Sequence, residues 1–118
     1  MRETVKAFKV LSDETKLRML NILLERECCV CEVMQALGIS QSKASRGLSA
    51  LYDAGFLKLR KDGLWSLYSL DREGMKENFF DLVEAVRKDL RDNEMAALDR
   101  ERLKKAKRVG PGCVTAVA

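Results

Sequence analysis

"SQSKASRGLSALYDAGFLKLRKDGLWSLYSL", Ser40 to Leu70, carries three structural signals in order. Ser40 is placed to cap a helix, because its hydroxyl can accept a backbone N–H from the first turn. Behind it Ala44, Leu48 and Leu51 recur at helical spacing, while Gln41, Ser42, Lys43, Ser45, Arg46 and Ser49 fall on the other side. "FLKLRK" and "LWSLYSL" then read as two strands around a tight turn. Asp62-Gly63 is expected at its centre, since both central positions of such turns need φ > 0. The first strand carries Lys58, Arg60 and Lys61, so the hairpin reads as a basic wing.

Upstream, Val30, Val33, Met34 and Leu37 keep helical spacing up to Gly38, a residue suited to ending a helix. Two short helices joined through Gly38–Ser40 make a helix-turn-helix, whose second helix normally enters the DNA major groove. Hydroxyls and cations bind phosphates, and arginine can read guanine with two hydrogen bonds. Gln41, Ser42, Lys43, Ser45, Arg46 and Ser49 are therefore the DNA-reading candidates, with Arg60 and Lys61 on the wing. A merely solvated helix face would carry similar residues; the adjacent turn and basic wing favour double-stranded DNA as the partner. Gly47 stands inside the helix at a cost of ~1 kcal/mol relative to alanine. It reads either as packing of the turn or as close approach of backbone to DNA.

Further out, "TVKAFKVL" (Thr4 to Leu11) spaces Val5, Phe8 and Leu11 along a short amphipathic helix. Ser12 is expected to cap the next helix, with Asp13 and Glu14 in its first turn and Leu17, Leu20, Leu23 and Leu24 inward. After the hairpin, Met75, Phe79, Leu82, Val83, Val86 and Leu90 form a stripe that either closes over the domain's own core or pairs with its twin. Because helix-turn-helix proteins usually read two half-sites as dimers, a homodimer is expected through Val5, Phe8, Phe79, Leu82, Val83, Val86 and Leu90. The fold class expected is mainly α with a β-hairpin wing, a dimeric winged helix-turn-helix. Residues 1–98 form the DNA-binding and dimerisation domain, and 99–118 a charged, flexible tail.

A chain of 118 residues fits one domain, and 47% hydrophobic with 34% charged residues is ordinary for a globular protein. The net charge of +4 divides into +3 over 1–70, −3 over 71–98 and +4 over 99–118. The acidic stretch suits a segment held away from phosphates. No apolar run of 18 residues and no signal-peptide core is present, so a cytoplasmic protein with no membrane partner is expected, its thiols reduced. An enzyme is disfavoured: there is no histidine, no phosphate loop and no acid–base pair near a glycine-rich turn. A pure scaffold would leave the basic wing unexplained.

"RECCVCEV", Arg26 to Val33, places Cys28, Cys29 and Cys31 within four positions; the other cysteine is Cys113. Small buried cysteines can simply fill a core, but three of four so close together in a cytosolic chain point to a soft-ion or redox site. Without histidine, no site needing imidazole can form. In a regular helix Cys29 and Cys31 would lie ~200° apart, so both sulfurs can meet one ion only where the helix starts or unwinds. A helix start also lowers thiol pKa by favouring thiolate. Distorting that turn would shift Val33, Met34 and Leu37, which support the reading helix. A rival reading takes Cys28-x-x-Cys31 as a dithiol that senses oxidants or persulfide.

"LSDETKLRMLNILL", "CVCEV" and the Ser40–Leu70 stretch together resemble the ArsR/SmtB family of metal-responsive repressors, from about Phe8 to Leu70. "CVC" is similar to the inducer site of the arsenical-resistance branch. The resemblance implies a homodimer that sits on operator DNA and leaves it when As(III) or Sb(III) binds, with no permanent cofactor. Cd(II) or Pb(II) is the alternative inducer. Cys29 and Cys31 are the implied ligands. Many such repressors carry a further cysteine three residues on, where this chain has Met34; the third ligand is then Cys28 or Cys113.

Overall fold

The computed structural model describes residues 1–109. Along them run α1 (Arg2–Leu11), α2 (Glu14–Leu23), α3 (Val30–Leu37), α4 (Gln41–Asp53), β1 (Leu57–Asp62), β2 (Trp65–Leu70), α5 (Glu77–Leu90) and α6 (Glu94–Lys105). Asp13 caps α2, its carboxylate accepting the Lys16 N–H at 2.9 Å. Ser12, expected there, instead closes α1 and donates its hydroxyl to Lys9 O at 2.7 Å. Ser40 does cap α4, and Gly38 ends α3 at φ 67°. That left-handed value is one glycine adopts without strain.

The core is built around α2, which touches α1, α3, α4, α5, α6 and β2. Met19, Leu20 and Ile22 of α2 meet Val33 and Ala36 of α3, Ala44, Leu48 and Leu51 of α4, and Phe56, all buried. Each large side chain so buried contributes roughly 1.5–3 kcal/mol. Gly47 is explained by packing: a β-carbon there would lie 2.5 Å from Met19 Sδ. The glycine lets α4 settle onto α2, on the side away from its polar face.

In the hairpin, Leu57 pairs with Leu70 and Asp62 with Trp65. The turn's central residues are therefore Gly63 and Leu64, one position later than expected, with Gly63 at φ 62°. Cys28 adds a short bridge to the other edge of β2, its N–H and carbonyl each 2.9 Å from the matching groups of Tyr68. The loop bearing the cysteines is thus stitched to the wing.

Two sequence expectations change. Phe79 and Val83, assigned to a dimer interface, are 4% and 2% exposed and close over the domain's own core; Phe79 stacks on Phe56 with centroids 5.2 Å apart. Leu82, Val86 and Leu90 are only half-buried, and Val5 and Phe8 are exposed. The expected boundary at Leu98 falls inside α6, which packs on α2 and α3 and buries Ala96, Asp99 and Leu103. Asp99 receives two hydrogen bonds of 2.8 Å from Arg18, whose guanidinium also donates to Leu37 O at 3.0 Å. Residues 99–105 are structural, then, and 106–109 continue from α6 among the described residues; the remainder of the expected tail, Cys113 included, lies outside them. No helix among the described residues is long and apolar enough to cross a membrane.

Candidate functional site

Cys29 is the N-cap of α3, with extended backbone at φ −88° and ψ 171°. Because it stands outside the helix, the ~200° separation of a regular helix does not apply. Its side chain instead lies beside that of Cys31, with the sulfurs 3.1 Å apart. Both residues are buried, in a small cluster with Leu67 against which Trp65 and Val109 pack. Two sulfurs each ~2.3 Å from one ion can be at most ~4.6 Å apart, so the pair fits a single thiophilic centre.

Glu32 holds the turn in this form. One carboxylate oxygen accepts the Cys29 N–H at 2.9 Å and the other the Arg26 guanidinium at 2.7 Å. Cys28 points the other way: it belongs to the main core, its thiol 3.5 Å from Arg26 O. Burial pushes the Cys28 thiol up to about 12. Burial also raises the Cys29 thiol, outweighing the backbone N–H of Glu32, which acts to lower it. The low thiol pKa expected at a helix start is overturned, because excluding water from the thiolate dominates.

The chain leaving α6 crosses this pair. Gln35 grips Lys107 with both ends of its amide, donating to the carbonyl at 2.7 Å and accepting the N–H at 3.1 Å. Arg26 donates to Leu103 O at 3.1 Å, and Lys107 O lies 3.8 Å from Cys31 Sγ. Val109 ends up against the cysteines. Among the described residues no group of three His, Cys, Asp or Glu side chains is placed to hold a metal ion. Arg26, Glu32, Gln35 and Trp65 were missed in the sequence. Only Glu32 had a readable signal there, an acid three residues after a helix cap.

Gln41, Ser42, Lys43, Arg46 and Ser49 are exposed along one face of α4, and Ser45 is half-buried. Arg46 donates to Ser42 Oγ at 2.7 Å. On the wing Lys61 is exposed and reaches Ser66 Oγ at 2.8 Å. Arg60 is committed to Glu27, Nε to Oε2 at 3.0 Å, which holds that carboxyl below its usual range and ties the wing to the cysteine loop.

A model of the bacterial regulatory proteins of the arsR family matches residues 13–64. The arsenic resistance transcriptional regulator ArsR1 of Pseudomonas putida is 49% identical over 67 residues, 56% of this chain and 52% of that protein. The arsenical resistance operon repressor of Bacillus subtilis is 34% identical over 74 residues, 62% of this chain and 70% of that protein. The chain belongs to the ArsR family. It spans about half the length of the Pseudomonas relative. The ArsR fold is seen also in a solved homodimeric winged helix-turn-helix DNA-binding domain from Mycobacterium bovis. That structure covers 79% of this chain and 82% of its own, with a TM-score of 0.64 at 22% identity. The ArsR-family match takes in Cys29, Cys31, α4 and β1; α5, α6 and Val109 lie beyond it.

Proposed function

We propose that this ArsR-family chain is a cytoplasmic, homodimeric transcriptional repressor that binds operator DNA and is released when As(III) or Sb(III) binds Cys29 and Cys31. The observation that carries this reading is the 3.1 Å approach of two buried sulfurs at the cap of α3. Soft thiolates select soft ions, and α3 packs directly on α4, so strain at the cap is passed to the reading helix. Cys113 is the third donor. Cys28 faces the main core, whereas four residues beyond Val109 a chain can reach up to ~14 Å. Gln41, Ser42, Lys43, Ser45, Arg46 and Ser49 meet the groove and Lys61 a phosphate; Arg60 joins them only by releasing Glu27. Val5 and Phe8, with Leu82, Val86 and Leu90, form the dimer face. The names of the arsenical-resistance relatives and of the homodimeric neighbour support the reading.

The test is anisotropy of labelled operator with reduced protein. Arsenite is expected to release the DNA, and Cys29→Ser to keep DNA binding while losing the response; an unchanged response in that variant sinks the site. The close sulfurs also favour a second reading, a thiol switch made by Cys29 and Cys31. Release by peroxide or persulfide but not by arsenite selects it.

A further inference from the structure

We propose that Trp65 is a ligand-reading residue of the wing, its indole N–H donating a hydrogen bond to the metalloid–thiolate group formed on Cys29 and Cys31. This rests on the reading that those two cysteines bind As(III). Trp65 packs against the cluster of Cys29, Cys31 and Leu67. Among the described residues its Nε1 is a buried polar atom with no hydrogen-bond partner. Native proteins keep few such groups, because a buried donor without an acceptor costs stability. An indole N–H can only donate, so what completes it must be an acceptor, and the cluster the ring packs against holds the two cysteines.

Ligation supplies that acceptor. Each cysteine S–H gives its proton to a hydroxyl of As(OH)3, which leaves as water while an As–S bond forms, and no electron is transferred. A neutral thiol is a weak acceptor; a sulfur bound to the metalloid has given up its proton and is a better one. The position of Trp65 makes the contact informative. It is the first residue of β2 and pairs with Asp62 across the Gly63-Leu64 turn. Asp62 also receives Arg108 at 3.3 Å, and Arg108 in turn lies 3.7 Å from Glu32, the residue that shapes the Cys29 cap. The wing tip is thus joined to the cysteine site by an indole on one side and an arginine on the other. If the indole bond favours a wing position that DNA does not, arsenite and DNA weaken each other's binding by the same factor.

The test uses the reduced full chain, whose one tryptophan gives one indole resonance. On addition of arsenite that N–H signal should move downfield and its exchange with water should slow. Trp65→Phe keeps an aromatic ring against the cysteines and removes the donor. It should bind operator within about twofold of wild type while binding arsenite roughly five- to tenfold more weakly, the worth of one hydrogen bond. An indole signal unmoved by saturating arsenite overturns the proposal, as does a Trp65→Phe chain with wild-type arsenite affinity. A variant whose operator binding falls in parallel with arsenite binding shows a packing role only, and also overturns it. If Trp65→Phe fails to fold, the wild-type resonance decides. Failure of the underlying reading is separately visible: arsenite affinity would then survive Cys29→Ser.

Discussion

Arg46 and Lys61 are both exposed cations, and under the proposed DNA-binding function they are expected to do different work. Arg46 rises from the middle of a rigid helix with its guanidinium steadied by Ser42, a geometry suited to a base edge. Lys61 sits near the tip of a two-stranded hairpin, suited to a phosphate. Arg46→Ala is expected to cost about 1–3 kcal/mol of specific operator affinity and to relax sequence preference, while Lys61→Ala lowers the salt slope of binding by about one. Anisotropy titrations at several salt concentrations, on operator and on unrelated duplex, separate the two. Gly47 shows the limit of reading one residue at a time. Both explanations offered for it were sound, and the buried thioether of Met19, 28 residues away in sequence, chooses between them.

At the level of elements, α6 changes the picture most. Its second half, "DRERLKK" from Asp99, is so charged that it reads as solvated tail, and the pattern of a helix held by one buried ion pair is not visible in it. Arg18 and Asp99 supply that pair. Asp99→Asn is expected to cost roughly 2–4 kcal/mol by urea denaturation, somewhat below the value for a fully dry pair because Arg18 keeps some access to water. The segment after α6 is held at Lys107 by the Gln35 amide and at Arg108 by Asp62 and Glu32. Gln35→Met retains helix propensity and loses both bonds to Lys107. Arsenite affinity should drop about tenfold, read by competition with a small dithiol, while operator affinity without arsenite stays unchanged. Equal arsenite affinity in this variant would show that the segment after α6 does not serve the site.

For the whole molecule the open question is assembly. Phe8 is 55% and Val5 44% exposed on α1, and Glu3 of α1 pairs with Lys76 at the start of α5, so the two helices expected at the dimer face meet near their N-terminal ends. Phe8→Glu should yield a monomer in sedimentation, with operator affinity reduced at least a hundredfold because one half-site replaces two; a dimer that persists refutes this face. Sequence by itself determined the order of the first five helices, turn and wing, the place of Cys29 and Cys31 at the start of α3, and the polar face of α4. These follow from local periodicity, capping chemistry and turn preferences, which act over a few residues. Tertiary structure alone decided that Phe79 and Val83 belong to the domain's own core, that α6 is part of the fold, and that Cys28 and Cys29 face opposite ways. It also placed Trp65 and Val109 on the cysteine pair. Those outcomes depend on which surfaces meet across stretches from Phe56–Phe79 to Arg18–Asp99, and burial, which decides them, is a property of the packed molecule rather than of any stretch within it.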